Sequence, residues 1–173
     1  MKLHTKRLII RDMEENDMDD ISEYGTDEET GKYMLHWPKT KAEIRVFMDE
    51  RKKGTGAGQP KWMEYVIELK EEHKVIGNVS IMNNKSEAEI GWISNRAYWN
   101  KGYMTEAVKA IINKILRENE IRKIYATCAE NNIGTCRVME KAGMKLVQRD
   151  ENIESMKDGH KVKYTRLKYE IGR

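Results

Sequence analysis

The 173-residue chain has only two cysteines, Cys128 and Cys136. Two are too few for the disulfide framework of a small secreted protein, and C-x7-C is not a zinc-ligand spacing. The four histidines, His4, His36, His73 and His160, stand far apart and offer no local pair of metal ligands. No apolar run approaches the roughly 20 residues a membrane-spanning helix requires. The N-terminus, MKLHTKRLII, lacks the apolar core and small-residue cleavage site of a signal peptide. Nor is one charge in surplus: 32 Lys and Arg face 29 Asp and Glu, a formal net charge of +3. The signs are interspersed, which reads as a solvated surface and not as the basic stripe of a nucleic-acid binder. Repeats, low-complexity tracts and linkers are missing too. These absences point to a soluble protein of a reducing, cytoplasmic compartment, with neither nucleic acid nor membrane as partner.

What is present is enough for one domain spanning residues 1–173, with hydrophobic residues at 39% and charged residues at 35%. TKRLIIRDM reads as an opening strand, and Asp12 to Gly25 as a helix. Thr26-Asp-Glu-Glu29 and Thr40-Lys-Ala-Glu43 fit the capping-box pattern and predict two more helices, separated by TGKYMLHWPK with its Pro38. GTGAGQP is a loop. WMEYVIELK and HKVIGNVSIMN form a hairpin, followed by the strand AEIGWIS, where Gly91 suggests a bulge or a close backbone approach. Met104, Ala107, Val108, Ile111, Ile112, Ile115 and Leu116 mark the buried face of a long helix. IRKIYATCA is a strand, Asn132 to Ala142 a helix closed by Gly143, and MKLVQRDE and KVKYTRLKYEI are strands joined through Lys157-Asp-Gly159. The order β, helices, β-β-β, α, β, α, β-β describes a mixed α/β fold.

The segment WNKGYMTEA carries the first functional signal. A helix start leaves backbone N–H groups without intrahelical partners and concentrates about half a positive charge there, which makes it an anion site. Gly102 permits close approach of a phosphate, Lys101 adds a cation, Thr105 a hydroxyl, and Asn100 either caps the helix or donates to a ligand. A simple turn glycine is the competing reading. Neither the P-loop nor the dinucleotide-fold glycine pattern is present, and GTGAGQPK leads into a strand.

Taken together, EIGWIS, WNKGYMTEA and NIGTCRVMEKAGM, with TKRLIIR and KYMLHWP upstream, resemble the GNAT superfamily of acetyl-CoA-dependent N-acetyltransferases. The match is closest to its ribosomal-protein N-terminal acetyltransferase branch and runs from Thr5 to about Ile171. The resemblance implies an α/β (α+β) fold with a mixed, mostly antiparallel sheet of about seven strands, splayed at the cofactor site and flanked by helices. It implies acetyl-CoA as cofactor. Asn100, Lys101, Gly102, Tyr103, Met104 and Thr105 would bind its pyrophosphate, Trp92, Ile93 and Ser94 would pair with its pantetheine arm, and Asn132 and Thr135 would face its thiol end. Asn132 also reads as a plain helix N-cap. Trp99 departs from the Gln or Arg of the general superfamily motif but is usual in the resembled branch; two further positions depart, Met104 standing where Gly or Ala is usual and Met139 where many members place a proton-donating tyrosine. The departure at Met139 leaves Thr135 as the better-placed donor.

The reaction so implied is direct attack of a primary amine on the thioester. It needs a neutral amine, hence a base, because a peptide α-amino group has a pKa near ~8 and a lysine amine near ~10. Glu89 is the candidate base, with Glu87 as its rival two residues back on the same strand face. Asn132 and Thr135 complete the catalytic candidates. Met34, His36 and Trp37 are candidates for the acceptor site, although Trp37 also reads as a core plug. The acceptor is an amine-bearing small molecule or a protein N-terminus, the assembly a monomer or homodimer, and the competing function a non-catalytic acyl-CoA sensor.

Overall fold

Burial alternates through LIIRD and the first half of EAEIGWIS, as in strands with one fully buried face, while the successive buried residues 64–67 of WMEYVIEL mark a strand covered on both faces. The computed structural model describes residues 1–35, 38–53, 62–118 and 120–173. Among these, eight strands form one sheet: β1 (Leu3–His4), β2 (Leu8–Asp12), β3 (Trp62–Leu69), β4 (Lys74–Asn84), β5 (Glu87–Ser94), β6 (Lys123–Ala129), β7 (Lys145–Lys157) and β8 (His160–Gly172). Their order is β1-β2-β3-β4-β5-β6-β8-β7. Every neighbouring pair is antiparallel except β5 and β6. A parallel pair needs a crossover, and helix α4 (Tyr103–Glu118) provides it.

Helix α4 and helix α5 (Ile133–Lys141) cover one face of the sheet. Ala107, Val108, Ile111, Ile112 and Ile115 of α4 pack there with Ile90 of β5, Ile124 of β6 and Met139 of α5. Each large aliphatic side chain buried in this way contributes about 1.5–3 kcal/mol relative to exposure. Helices α1 (Met18–Gly25) and α3 (Lys41–Lys53) cover the other face, where Ile21, Tyr24, Ile44 and Met48 meet Val66, Val75 and Ile93. A short helix, α2 (Glu28–Gly31), lies between them in sequence and touches β5.

The sheet splays at one place. β5 pairs with β4 along its whole length, from Glu87↔Asn84 to Ser94↔Gly77. It pairs with β6 only at Glu87↔Lys123, Ala88↔Ile124 and Glu89↔Tyr125, and β6 then follows β8 out to Ala129↔Arg166. Beyond Glu89 and Tyr125 the two strands part.

Several local expectations need correction. The sheet has eight strands, the additional one being the two-residue β1. The first helix begins at Met18 and not at Asp12, because Asp12 still belongs to β2 and pairs with Tyr65; a 3₁₀ turn, Glu15–Asp17, intervenes. Thr26 forms no capping box. Its hydroxyl donates to the Ser22 carbonyl (2.8 Å), and Asp27 caps α2 by accepting from the Glu29 N–H (2.9 Å). The Thr40–Glu43 box forms as expected, with Glu43 N–H donating to Thr40 Oγ1 (3.2 Å) and Thr40 N–H to Glu43 Oε2 (3.0 Å). No bulge occurs at Gly91, which pairs squarely with Ser80; the register shifts lie at Ile67/Glu68 of β3 and at Leu146/Gln148 and Asp150/Ile153 of β7. The end of α5 closes at Gly143 (φ +90°), with Gly143 N–H donating to Glu140 and Met144 N–H to Met139. The GTGAGQP segment lies outside the described residues.

Candidate functional site

The start of α4 is a tightly braced turn. The Gly102 carbonyl accepts the Glu106 N–H (3.1 Å), so Gly102, not Asn100, occupies the N-cap position. Gly102 has φ +78° and Asn100 φ +62°, two left-handed residues in a three-residue span. Trp99 ties the turn to the end of β5, its indole Nε1–H donating to the Ser94 carbonyl (2.9 Å). Arg7 braces the other side. Its Nε donates to Glu106 (2.6 Å), its Nη1 to the Lys101 carbonyl (3.0 Å), and the guanidinium lies 4.4 Å from the centre of the Tyr103 ring. Glu106 also accepts from the Arg7 backbone and the Thr5 hydroxyl, and these bonds hold its carboxyl below the usual range against the opposing effect of burial.

A second helix start faces the first. Asn132 caps α5, its Oδ1 accepting the Thr135 N–H (3.3 Å), and Thr135 is half-buried in the first turn. Between the two starts and the free part of β5 lies a cavity of about 630 Å³. All the cofactor candidates read from the sequence line it: Trp92, Ile93, Ser94, Asn100, Lys101, Gly102, Tyr103, Met104, Thr105, Asn132 and Thr135. Met34 lines it as well, whereas His36 and Trp37 lie outside the described residues. Arg137 and Lys141, one helical turn apart on α5, join Lys101 in the lining, and among the described residues Glu29 is the one acid there. Three cations against one carboxylate, beside two helix starts, suit an anionic ligand. Coenzyme A has that character, and Gly102 is left-handed (φ +78°) with only the Arg7 Nη2 at ordinary contact distance (3.6 Å) from where a Cβ would stand, so its backbone is bare on that side. The sequence reading missed Arg137 and Lys141, although both fall within NIGTCRVMEKAGM.

Glu89 does not line this cavity. It sits at the last paired position of β5 with β6, where the strands part. The Tyr125 hydroxyl donates to Glu89 Oε2 (3.2 Å), and burial together with the Glu89 charge raises the Tyr125 pKa. Glu87 is engaged differently, in an ion pair with Lys123 (2.7 Å). Gly91 follows Glu89 on the same face, and a side chain there would meet nothing within 4 Å, so the strand is open above it. Tyr125 was not a candidate from sequence. Only the parallel register, set by the α4 crossover, brings it beside Glu89.

A separate polar cluster lies between the sheet and α1. Glu64 is buried, accepts from the Ser80 hydroxyl (2.7 Å) and the Asn78 amide, and stands 3.9 Å from Arg51. Tyr24 donates to Asn78 (2.9 Å). Burial raises the Glu64 pKa despite these donors. Met139, at the position considered for a tyrosine, is fully buried in the core. The sulfurs of Cys128 and Cys136 are 3.5 Å apart, and burial pushes the Cys128 thiol up, so the neutral, unreactive form dominates.

Residues 7–145 match the family profile of the acetyltransferase (GNAT) domain. Among curated relatives, the uncharacterized N-acetyltransferase YnaD of Bacillus subtilis is 35% identical over 147 residues, covering 84% of this chain and 83% of YnaD. An uncharacterized N-acetyltransferase of Bacillus licheniformis, p20, is 30% identical over 141 residues, covering 79% of this chain and 78% of p20. The crystal structure of a GNAT-family acetyltransferase from Bacillus anthracis superposes with a TM-score of 0.86 at 27% identity, covering 99% of this chain and 98% of that one. The ribosomal L7/L12 α-N-protein acetyltransferase RimL, solved with coenzyme A, shares the fold with a TM-score of 0.83 at 17% identity, covering 99% and 98%. With the splayed sheet, the paired helix starts and these matches along most of its length, the chain belongs to the GNAT family and is an N-acetyltransferase.

Proposed function

We propose that the protein transfers an acetyl group from acetyl-CoA to a primary amine by direct attack, with Glu89 as the base. The observation that carries this reading is the cavity between the unpaired half of β5 and the starts of α4 and α5, lined by Lys101, Arg137 and Lys141. Its phosphates fit the Gly102 turn and the three cations, and its amide-bearing arm fits the bare strand edge at Trp92–Ser94. The bound thioester supplies an activated acyl group. Solved proteins of the same fold hold coenzyme A, in RimL, and acetyl-CoA, in the microcin C7 self-immunity acetyltransferase MccE.

The chain's own groups then divide the work. Glu89 takes the proton from the incoming amine, which approaches over the open face at Gly91. Tyr125 holds the Glu89 carboxylate in place by donating to it. Thr135, in the first turn of α5, donates toward the leaving sulfur. Asn132 keeps that turn formed by capping it. RimL acts on a protein α-amino group, so short peptides with a free N-terminus belong first among the acceptors to be tested, followed by small amines. Acetyl-CoA should bind with micromolar affinity and raise the melting temperature, since a ligand that binds only the native state stabilises it. Calorimetry with no heat at millimolar acetyl-CoA would overturn the reading. A panel of peptides and amines, followed by thiol release, separates an enzyme from a sensor, which would bind without releasing thiol.

A further inference from the structure

Among the described residues one buried side-chain polar atom lacks a hydrogen-bond partner: the Thr30 hydroxyl oxygen. Thr30 is only 8% exposed and lines the cavity from α2, opposite β5. Desolvated hydroxyls are almost always paired, because an unmade bond loses the water it replaced. A local remedy exists and is used one and two turns earlier. The Ser22 hydroxyl donates to the Met18 carbonyl (2.6 Å), and the Thr26 hydroxyl to the Ser22 carbonyl (2.8 Å). Thr30 stands four residues further on and makes no such bond to Thr26. The Thr30 backbone N–H, by contrast, is engaged by the Asp27 cap.

We propose that the Thr30 hydroxyl is a substrate-binding group, completed by an amide or carbonyl of the molecule held between α2 and β5. This rests on the acetyl-transfer reading above. Helix α2 contacts β5, and Thr30 lines the same cavity as Ile93 and Ser94 at the end of that strand, so a chain held along that edge lies within the cavity that Thr30 borders. Such an amide or carbonyl belongs either to the arm of the acyl donor or to the backbone of a peptide acceptor. Glu29, Tyr33 and Met34 flank Thr30 in the same wall, and none of them offers a hydroxyl at a buried position.

The test is Thr30→Val, which keeps the shape and removes the hydroxyl, compared with Thr30→Ser, which keeps the hydroxyl. The free Thr30→Val protein should melt at or above the wild-type temperature, because a buried group without a partner has been removed. Its binding should nevertheless weaken by about 3- to 10-fold, the worth of one hydrogen bond. Thr30→Ser should restore most of that loss. A weaker Kd for acetyl-CoA by calorimetry assigns the bond to the donor. An unchanged Kd with a raised KM for peptide, at constant kcat, assigns it to the acceptor. If wild type and Thr30→Val bind and turn over both substrates alike, the inference is wrong. If the free Thr30→Val protein is less stable than wild type, the hydroxyl has a partner within the protein and the inference is likewise wrong. A wild type that fails to bind acetyl-CoA fails the underlying reading instead, so the two failures are distinguishable.

Discussion

Glu87 and Glu89 share a strand face but not an environment. Lys123 neutralises Glu87, while the partner of Glu89 among the described residues is the neutral Tyr125 hydroxyl. Glu89 thus stands outside the ion pair that engages Glu87, which makes it the carboxylate of the two that the proposed base role can use. Glu89→Gln should therefore lower the rate by about 10²–10⁴-fold with little change in acetyl-CoA affinity, and part of the loss should return at high pH, where more amine is already neutral. Glu87→Gln is the control and should be nearly silent. Full activity of Glu89→Gln across the pH range, in an assay limited by chemistry, would remove Glu89 from the role. Glu89 was a candidate because it stands beside the EIG motif, and its role as base is the proposal that this variant tests. Tyr125 was not a candidate, because its position depends on a register across the α4 crossover, and Arg7 was not, because it meets Glu106 99 residues away in sequence. The same limit hid Glu64. In the folded state burial raises its pKa above the ordinary 4.5, so the folded protein holds that proton to a higher pH than the unfolded chain does. Stability from this group is present below pH 4.5 and is lost as pH rises through the raised folded value. Thermal melts of wild type and Glu64→Gln across that window should show the wild type's advantage shrinking as pH rises. A constant difference would mean that Glu64 ionises in the folded protein as it does in the unfolded chain.

Caps, turns and helix faces follow local chemistry, and the sequence was most readable at the level of elements. The Thr40–Glu43 box, the Gly143 stop and the Asp158–Gly159 hairpin turn all formed as read, the last with φ of +50° and +79°. Misreadings came where two local solutions competed. Thr26 lost the cap to Asp27, and Asp12 stayed in β2 because Tyr65 was there to pair with it. The α4 start suggested an anion site through Gly102 and Lys101, a reading that remains a proposal, whereas its brace from Arg7 and Trp99 was not visible in the sequence. The brace makes Gly102→Val informative. Its Cβ would enter a left-handed conformation, costing roughly 1–2 kcal/mol, and its branches would project into the space that the proposed reading gives to a phosphate. The variant should fold with a modestly lower melting temperature and bind acetyl-CoA much more weakly. Acetyl-pantetheine, which has the thioester arm without the nucleotide phosphates, should remain a substrate of unchanged KM. Equal loss with both donors would mean that the turn was distorted and not merely blocked.

At the scale of the whole molecule, one topological decision creates the site. Seven neighbouring strand pairs make the sheet, and the one parallel pair, β5–β6, stops after three residues. The α4 crossover separates these two strands in sequence, so no tight hairpin turn holds them together and they diverge. The far ends are tied by another long-range contact: Lys39 pairs with Asp158 (2.5 Å) at the tip of the β7–β8 hairpin, and Lys157 donates to the carbonyls of Gly31 and Lys32. The hairpin tip is thereby fixed to the end of α2 and to Lys39. A sheet split in this way leaves the backbone of residues 90–94 without a neighbour on the β6 side, and in the proposed reading the arm of acetyl-CoA takes that place as an added strand. Hydrogen exchange of the free and acetyl-CoA-bound protein examines this directly. Binding should slow exchange most in residues 90–94, with further protection at 102–105 and 133–135, where the two helix starts face the cavity. Residues 87–89, already paired on both sides, should slow only as much as the remaining core does, since ligand binding raises the stability of every globally exchanging amide equally. If protection is uniform along β5, the arm does not pair with the strand, and the split sheet holds its ligand through the helix starts alone.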